Sequence, residues 1–593
     1  MSVCHCARAF VLCLFSASAL AASPDGVVAV SHPAAAAAGA RMLAQGGNAI
    51  DAAAAVQFAL NVVEPQSSGI GGGGFMLVYL AKTGKTVVVD SRERAPANAR
   101  ADLFAPDGLP LPFAQASTSG IAIGVPGTLR GVDLALRRWG TKPLSATLAP
   151  AIELAGHGFR VNRFLAEDIV NDGGRTQLQP ETAAIFRPGG VPLAEGDWLV
   201  QADLARTLKR IAAGGPDAFY RGPLARAIVQ AQQRTRSELG EAGRGQMTLA
   251  DLARYRPTVR EPLIGHYRGW TLAGMPPPSS GGLTILQMLG MLERFPLGDP
   301  AQGYGFGSPK TLHLMIEAMR LAFADRAVWI GDDDFVPVPR KGLLNPAYLA
   351  TRAALIQPER RMETPLASDP TPWDTVGSSS KPGLTRAESP HTTHFSIVDR
   401  WGNVVSYTST IEATWGSGIT VPGYGFLLNN ELTDFNFLPA ADTARGGAND
   451  PAPGKRPRSS MAPMLLFKDG RFVAAYGSPG GATIINSVLN VTLNLIDHGM
   501  TMQQAIAAPR LSVTHAAGKV SCEGGKDHMR PEISIASQDA LRKLGHAGLG
   551  ALGANGCNDT IGSVQAVATE PASGARSGAA DVRREGTVIR VNP

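Results

Sequence analysis

Thr392 lies in the stretch Pro390-His391-Thr392-Thr393-His394, at the head of the strand-like run HFSIVD. A threonine hydroxyl is a weak nucleophile until a base takes its proton. The chain has no G-x-S-x-G elbow to suggest a triad, and GSPGG at 477–481 lacks the required spacing. A different device needs only one residue. If Thr392 attacks the His391 carbonyl, the chain shifts to an ester and water releases a new N-terminus. The freed α-amino group, with a pKa of about 7.7 to 8.0, then serves as base to its own hydroxyl. A β-branched residue at a strand start also has a plain structural use, so the surroundings must decide.

HFSIVD and NVVSYTST flank Arg400-Trp401-Gly402, a loop with glycine in its last position, which suits a three-residue hairpin. If Asp399 closes against Asn403, the antiparallel register sets Thr410 opposite Thr392, with Cβ atoms roughly 5 Å apart. A second hairpin, PMLLFKDGRFVAAYG, runs into SPGGATIINSVLNVTLNLIDHG. Gly480-Gly481 there opens an apolar helix, where free N–H groups and the positive dipole end favour an anion.

Upstream, VVAVSH reads as a strand, and two alanine-rich helices follow, divided by Gly46-Gly47. SSGIGGGGFMLVYL contains G-x-G-x-x-G at Gly69, Gly71 and Gly74, but it leads into a strand rather than a helix. That context fits a structural or site-lining loop, not a nucleotide site. Residues 127–361 are mostly helical in pattern. Residues 366–390 lose hydrophobic periodicity and gather Pro, Ser, Gly and Thr, which predicts an exposed, mobile connection ending at Thr392.

The bulk properties fit an ordinary multi-unit globular chain: 593 residues, 44% apolar, 18% charged. A net charge of +6 is spread without basic runs, so nucleic acid is not an expected partner. Arg8, the apolar run from Ala9 and Ala19-Leu20-Ala21 have the form of a cleaved signal peptide over residues 1–21. No later run reaches the roughly 18 apolar residues of a membrane span, so a periplasmic or secreted location is expected. Past the signal only Cys522 and Cys557 remain. Neither has metal-ligand spacing, so no zinc site is expected. One disulfide or two buried thiols both stay open.

With TTHFSIVD, GSGITVPGYGFLLNNELTDF, KRPRSSMAP, GSPGG, EPQSSGIGGGGFM, DSRERAP and DVRREG in order, the chain resembles γ-glutamyltransferases of the N-terminal nucleophile hydrolase superfamily. The resemblance spans essentially the whole chain after the signal. It implies an α/β, four-layer αββα sandwich and self-cleavage into a large subunit, 22–391, and a small one, 392–593. It also implies a γ-glutamyl donor such as glutathione, water or an amino acid or peptide as acceptor, and no cofactor or metal. By the same resemblance Thr392 is the nucleophile, Thr410 its hydrogen-bond partner, and Gly480 and Gly481 the oxyanion donors. Arg92, Ser459 and Ser460 match positions that bind the donor's α-carboxylate, and a guanidinium fork suits that group. Glu431 and Asp434 match positions that hold its α-amino group.

Two features depart from the pattern. Glu412 stands where better-known members have asparagine, adding a third carboxylate near the ammonium position. The lid-like segment after Asp434 contains no tyrosine. A glutaryl or cephalosporin acylase of the same fold is therefore an alternative, and a non-catalytic extracytoplasmic binding protein is the alternative of another class.

Overall fold

The computed structural model describes residues 26–234, 237–375, 391–440, 447–523, 533–549, 557 and 559–591. The expected signal peptide and residues 376–390 of the expected connection lie outside the described residues. Residues 366–375 are tied down rather than loose: Ser368 donates its N–H to Asp325 at 3.1 Å and its carbonyl accepts Trp329 Nε1 at 2.8 Å.

Two antiparallel sheets stack at the centre. The first has seven strands in the order Thr587–Val591, Gly26–Val30, Thr393–Val398, Val404–Thr410, Gly73–Leu80, Lys85–Asp90 and Thr258–Arg260. The second has six: Arg576–Ala580, Gln565–Thr569, Arg471–Gly477, Met464–Lys468, Trp270–Gly274 and Leu263–Tyr267. The period of two along a strand sorts side chains between faces. Thus Val28 and Val30 join the core beneath helices Pro33–Ala44 and Ala49–Val63, whereas Val27 and Ala29 face the other way. The second sheet is covered by Gly281–Leu292, Pro309–Trp329 and Thr483–Ile496. The layering is αββα, as the sequence implied. Between the sheets some contacts are polar: Ser396 Oγ donates to the Gln565 carbonyl at 3.1 Å, and Ser406 Oγ to that of Tyr476 at 3.3 Å.

Local signals explain the helices nearest the site. Asn48 and Asp51 form a reciprocal capping box at the start of Ala49–Val63, after Gly46 turns the chain at φ 77°. The glycine run has a packing cause. A Cβ on Gly72 would meet the Thr410 carbonyl at 2.1 Å, and one on Gly73 would meet Glu93 Oε2 at 2.3 Å. The region read as mostly helical also holds the hairpin Leu263–Tyr267/Trp270–Gly274, which forms one edge of the second sheet. Its turn, Arg268-Gly269, has both residues at positive φ, the geometry of a tight two-residue hairpin loop. Among the described residues no helix is long and apolar enough to cross a membrane. Cys522 and Cys557 form a disulfide with Cα atoms 4.7 Å apart.

Candidate active site

The hairpin forms in the expected register. Asp399 N–H donates to the Asn403 carbonyl at 3.0 Å, and Ser409 pairs with Thr393. Gly402 supplies the positive φ that the loop needs, at 84°. Asp399 organises the turn further by accepting from the Trp401 and Asn403 amides, both at 2.9 Å. Thr392 and Thr410 therefore meet. Thr392 Oγ1 lies 3.2 Å from Thr410 Oγ1 and 2.5 Å from the His391 carbonyl oxygen. Thr410 Oγ1 lies 3.3 Å from that same oxygen and accepts the Glu412 N–H at 2.9 Å. With one lone pair taken by this amide, the Thr410 hydroxyl is free to point its proton at the His391 carbonyl and polarise it. Arg584 Nη1 holds the Thr392 carbonyl at 2.9 Å, and Thr392 is 3% exposed.

His391 is half-buried, and desolvation of its imidazole, helped by Arg584 and Arg175, pulls it down to about 3. It is neutral at physiological pH, and its Nδ1 has no hydrogen-bond partner among the described residues.

Beside Thr392 sits a small cavity of about 20 Å³, room for roughly one water. Every residue expected to bind the donor lines it: Arg92, Glu412, Glu431, Asp434, Ser459 and Ser460. Gly481 lines it too, while Gly480 faces a second cavity beyond His391. The amides of both glycines have no acceptor among the described residues. Gly480 has φ 134°, and a Cβ there would meet Thr483 Oγ1 at 2.5 Å. The pair lies just before helix Thr483–Ile496, as expected.

The ionic groups are paired within the chain. Arg92 donates Nη1 to Glu431 and Nη2 to Asp434, and it also reaches the Pro457 and Arg458 carbonyls at 3.2 and 3.0 Å. All three side chains are nearly inaccessible. Arg94, the other arginine of DSRERAP, is outside this lining. Glu412 adopts φ 77°, a left-handed conformation uncommon for a residue with a Cβ. Its carboxylate accepts from Asn430 Nδ2 and from Thr433 Oγ1, the latter at 3.3 Å. This third carboxylate is thus hydrogen-bonded within the chain, with Arg175 close enough to feel its charge.

Several supporting residues escaped the sequence reading. Ser280 Oγ donates to the Ser459 carbonyl at 2.7 Å, and Arg326 bridges Ser280 Oγ and Ser460 Oγ, each at 2.7 Å. The available signal was Ser279-Ser280-Gly281-Gly282 opening an apolar helix. Asn449 joins two loops, donating Nδ2 to the Asp434 carbonyl at 2.6 Å and accepting the Arg458 N–H at 2.8 Å. Glu93 is fully buried with neither oxygen hydrogen-bonded among the described residues. Burial holds its carboxyl up at about 8, against the opposing pull of Arg92.

Comparison with known proteins places the chain in a family and a fold. The profile described as Gamma-glutamyltranspeptidase matches residues 35–591. A glutathione hydrolase proenzyme of Bacillus subtilis is 44% identical over 96% of this chain and 92% of its own length. The acylase ACY 1 proenzyme of a Pseudomonas strain is 40% identical over 96% of this chain and 94% of its own. The crystal structure of a cephalosporin acylase from Bacillus halodurans superposes with a TM-score of 0.81 at 29% identity, covering 99% of this chain and 98% of that one. The matched span contains both sheets' central strands and each candidate site residue. The chain is an enzyme of the gamma-glutamyltranspeptidase family, with the αββα fold of N-terminal nucleophile hydrolases.

Proposed function

We propose that this protein is a self-processing γ-glutamyltransferase and glutathione hydrolase, with Thr392 as its nucleophile. In the first stage Thr392 Oγ1 attacks the His391 carbonyl carbon, Thr410 polarises the carbonyl oxygen, and hydrolysis of the resulting ester separates residues 22–391 from 392–593. In the second stage the freed α-amino group of Thr392 takes the proton from its own hydroxyl as that hydroxyl attacks a γ-glutamyl amide. The Gly480 and Gly481 amides supply donors for the oxyanion, an interaction worth on the order of 3 kcal/mol of barrier per donor. The γ-glutamyl-threonine ester then passes to water or an amine. A signal peptide over residues 1–21 and export from the cytoplasm belong to the same reading.

The observation that carries the reading is the charge pattern around Arg92. An amino-acid head group is a carboxylate joined to an ammonium. Arg92 with Ser459 and Ser460 matches the first, and Glu431 with Asp434 matches the second. In the uncleaved chain these opposite charges satisfy one another, and a zwitterion can replace each partner with an equivalent one. Glutaryl groups lack the ammonium and would leave two buried carboxylates unmatched.

The test pairs processing with selectivity. Denaturing electrophoresis of the wild type should give two fragments, the smaller beginning at Thr392. Thr392→Ala should give one chain with activity reduced by at least about 10⁴-fold. Processed enzyme should release anilide faster from the γ-L-glutamyl than from the glutaryl derivative. An active but uncleaved wild type would sink the mechanism. Faster glutaryl release would favour the acylase reading.

A further inference from the structure

Outside the lining of both cavities at His391, a cluster of ligating side chains joins segments far apart in the sequence. His313 and Glu317 lie four residues apart on helix Pro309–Trp329, which puts them on one face. His546 follows helix Ile535–Lys543, where Gly545 turns the chain at φ 98° and the His546 N–H closes on the Leu541 carbonyl at 3.1 Å. That turn docks on the segment after Gln357, with the Arg361 N–H donating to the Leu544 carbonyl at 3.1 Å. His313, Glu317 and His546 are all buried, and one ligand atom from each lies within 4.8 Å of those from the others.

The hydrogen bonds fix where the lone pairs point. His313 Nε2 lies 2.8 Å from the Gln357 carbonyl oxygen, which can only accept, so Nε2 carries the proton and a neutral His313 presents a bare Nδ1. His546 Nε2 lies 2.7 Å from that Nδ1 and must donate to it. A neutral His546 then has its own bare Nδ1 4.0 Å from Glu317 Oε1. Two acceptors face each other in a buried site with no proton between them, and a cation resolves the conflict. The carboxylate is held in place: Glu317 Oε2 accepts the Met362 N–H and Oε1 accepts Arg320 Nη1, both at 2.8 Å. Arg320 also reaches the Ala516, Met362 and Glu363 carbonyls at 2.9, 3.0 and 3.0 Å, so it steadies Glu317 without depending on it. A histidine anchored to a carbonyl through its second nitrogen, and a carboxylate hydrogen-bonded from behind, are the outer contacts that orient metal ligands.

We propose that His313, Glu317 and His546 bind one divalent transition ion of the zinc type. Two imidazoles and one carboxylate suit zinc, cobalt or nickel rather than magnesium or calcium, which favour oxygen ligands. The ion takes His313 Nδ1, His546 Nε2 and Glu317 Oε1. The proton on His546 Nε2 moves to Nδ1, so binding releases no net proton. Metal–nitrogen bonds of about 2.0–2.1 Å at a tetrahedral angle set two nitrogens roughly 3.3 Å apart, so the imidazoles must part by roughly 0.6 Å. The site takes no part in the acyl transfer, for which no metal is implied. His313 and Glu317 precede Thr392 and His546 follows it, so the ion also clips together the two products of cleavage. That role rests on the processing reading above, whereas the site itself does not.

The test uses tag-free protein, stripped with a chelator and titrated with zinc chloride. The wild type should take up one zinc per chain, with a melting temperature raised by several degrees at saturation. Thr392→Ala should bind zinc equally well. His313→Gln and His546→Gln retain a hydrogen-bonding side chain and should each weaken uptake by at least about 100-fold. His266→Gln, at an exposed position on the edge strand of the second sheet, should leave uptake unchanged. X-ray absorption at the zinc edge of the loaded wild type reads the ligands without any variant, and it should show two imidazoles. No saturable uptake, uptake unmoved by both cluster variants, or an edge spectrum without imidazole overturns the proposal. In processed enzyme, zinc should hold the two fragments together to a higher denaturant concentration, and separation at an unchanged concentration overturns the clip. A wild type that stays uncleaved overturns the processing reading and leaves the zinc titration standing.

Discussion

The two sides of the His391–Thr392 peptide differ in how their charges are paired and in the room they leave. On the Arg92 side the guanidinium is shared between Glu431 and Asp434, although Glu431 Oε2 and both Glu93 oxygens have no hydrogen-bond partner among the described residues, and the cavity holds about 20 Å³. On the other side the cavity holds about 330 Å³, and Glu64 and Gln66 keep buried oxygens with no donor among the described residues. A pocket that neutralises itself is stable before any substrate arrives and closed to one. A pocket with unsatisfied groups is less stable and ready for a ligand. Under the proposed function, the uncleaved chain has its donor side shut by the interactions that would later bind the donor head group, with His391 lining both cavities. Under the proposed mechanism, cutting that peptide frees His391 and lets a zwitterion compete for Arg92.

The largest test of this asymmetry is removal of Arg92. In a Thr392→Ala background, expected under the proposed mechanism to stay uncleaved, Arg92→Gln leaves Glu431 and Asp434 facing each other in a buried site. Loss of one partner of such a network costs about 3–5 kcal/mol, so the melting temperature should drop sharply. A compensating Glu431→Gln should restore part of it. Arg584→Gln, on the open side and only half-buried, should cost no more than about 1 kcal/mol. Equal losses from both arginines would remove the distinction between the two sides.

A smaller, pH-dependent effect comes from Glu93, directly behind Arg92. In the unfolded chain its carboxyl ionises near 4.5, whereas in the folded one burial holds it at about 8. Between those values the native state binds the extra proton, so stability is greatest below 4.5, falls as pH rises and levels off above 8. Glu93→Gln abolishes the titration and should flatten the profile across that window, by on the order of a few kcal/mol. Thermal melts at half-unit pH steps, again in uncleaved protein, give the answer. Parallel profiles for the two proteins would mean that Glu93 finds a compensating partner in solution.

The sequence exposes the proposed nucleophile more readily than its supports, for a physical reason. Thr392 and Thr410 belong to one hairpin, and a turn closed between Asp399 and Asn403 dictates which residues meet. The residues proposed to bind the donor could be located only through motif resemblance, since Arg92 meets Glu431 across 339 positions. Ser280 and Arg326, which hold the Ser459-Ser460 segment, carry no pattern that distinguishes them from a helix cap and a solvated cation. The hairpin at 263–274 was hidden among helical stretches because its strands are short and one edge is exposed. The cysteine pair, left open by spacing alone, is closed because strand Ser521–Cys522 brings Cys522 within 4.7 Å of Cys557.

Glu412 offers the finest test, because two physical effects oppose each other at one position. Its φ of 77° disfavours glutamate, while asparagine tolerates that region well. Glu412→Asn therefore relieves backbone strain of roughly 1 kcal/mol but forfeits the bonds to Asn430 and Thr433. The net change in stability should stay within about 1 kcal/mol. Selectivity should move more visibly. If Glu412 adds its charge to the ammonium site, the preference for γ-glutamyl over glutaryl anilide should fall by about three- to tenfold in the variant. An unchanged preference assigns the ammonium to Glu431 and Asp434 alone. Glu412 would then serve chiefly to aim its backbone N–H at Thr410 Oγ1, a role that asparagine, with the same backbone conformation, preserves in full.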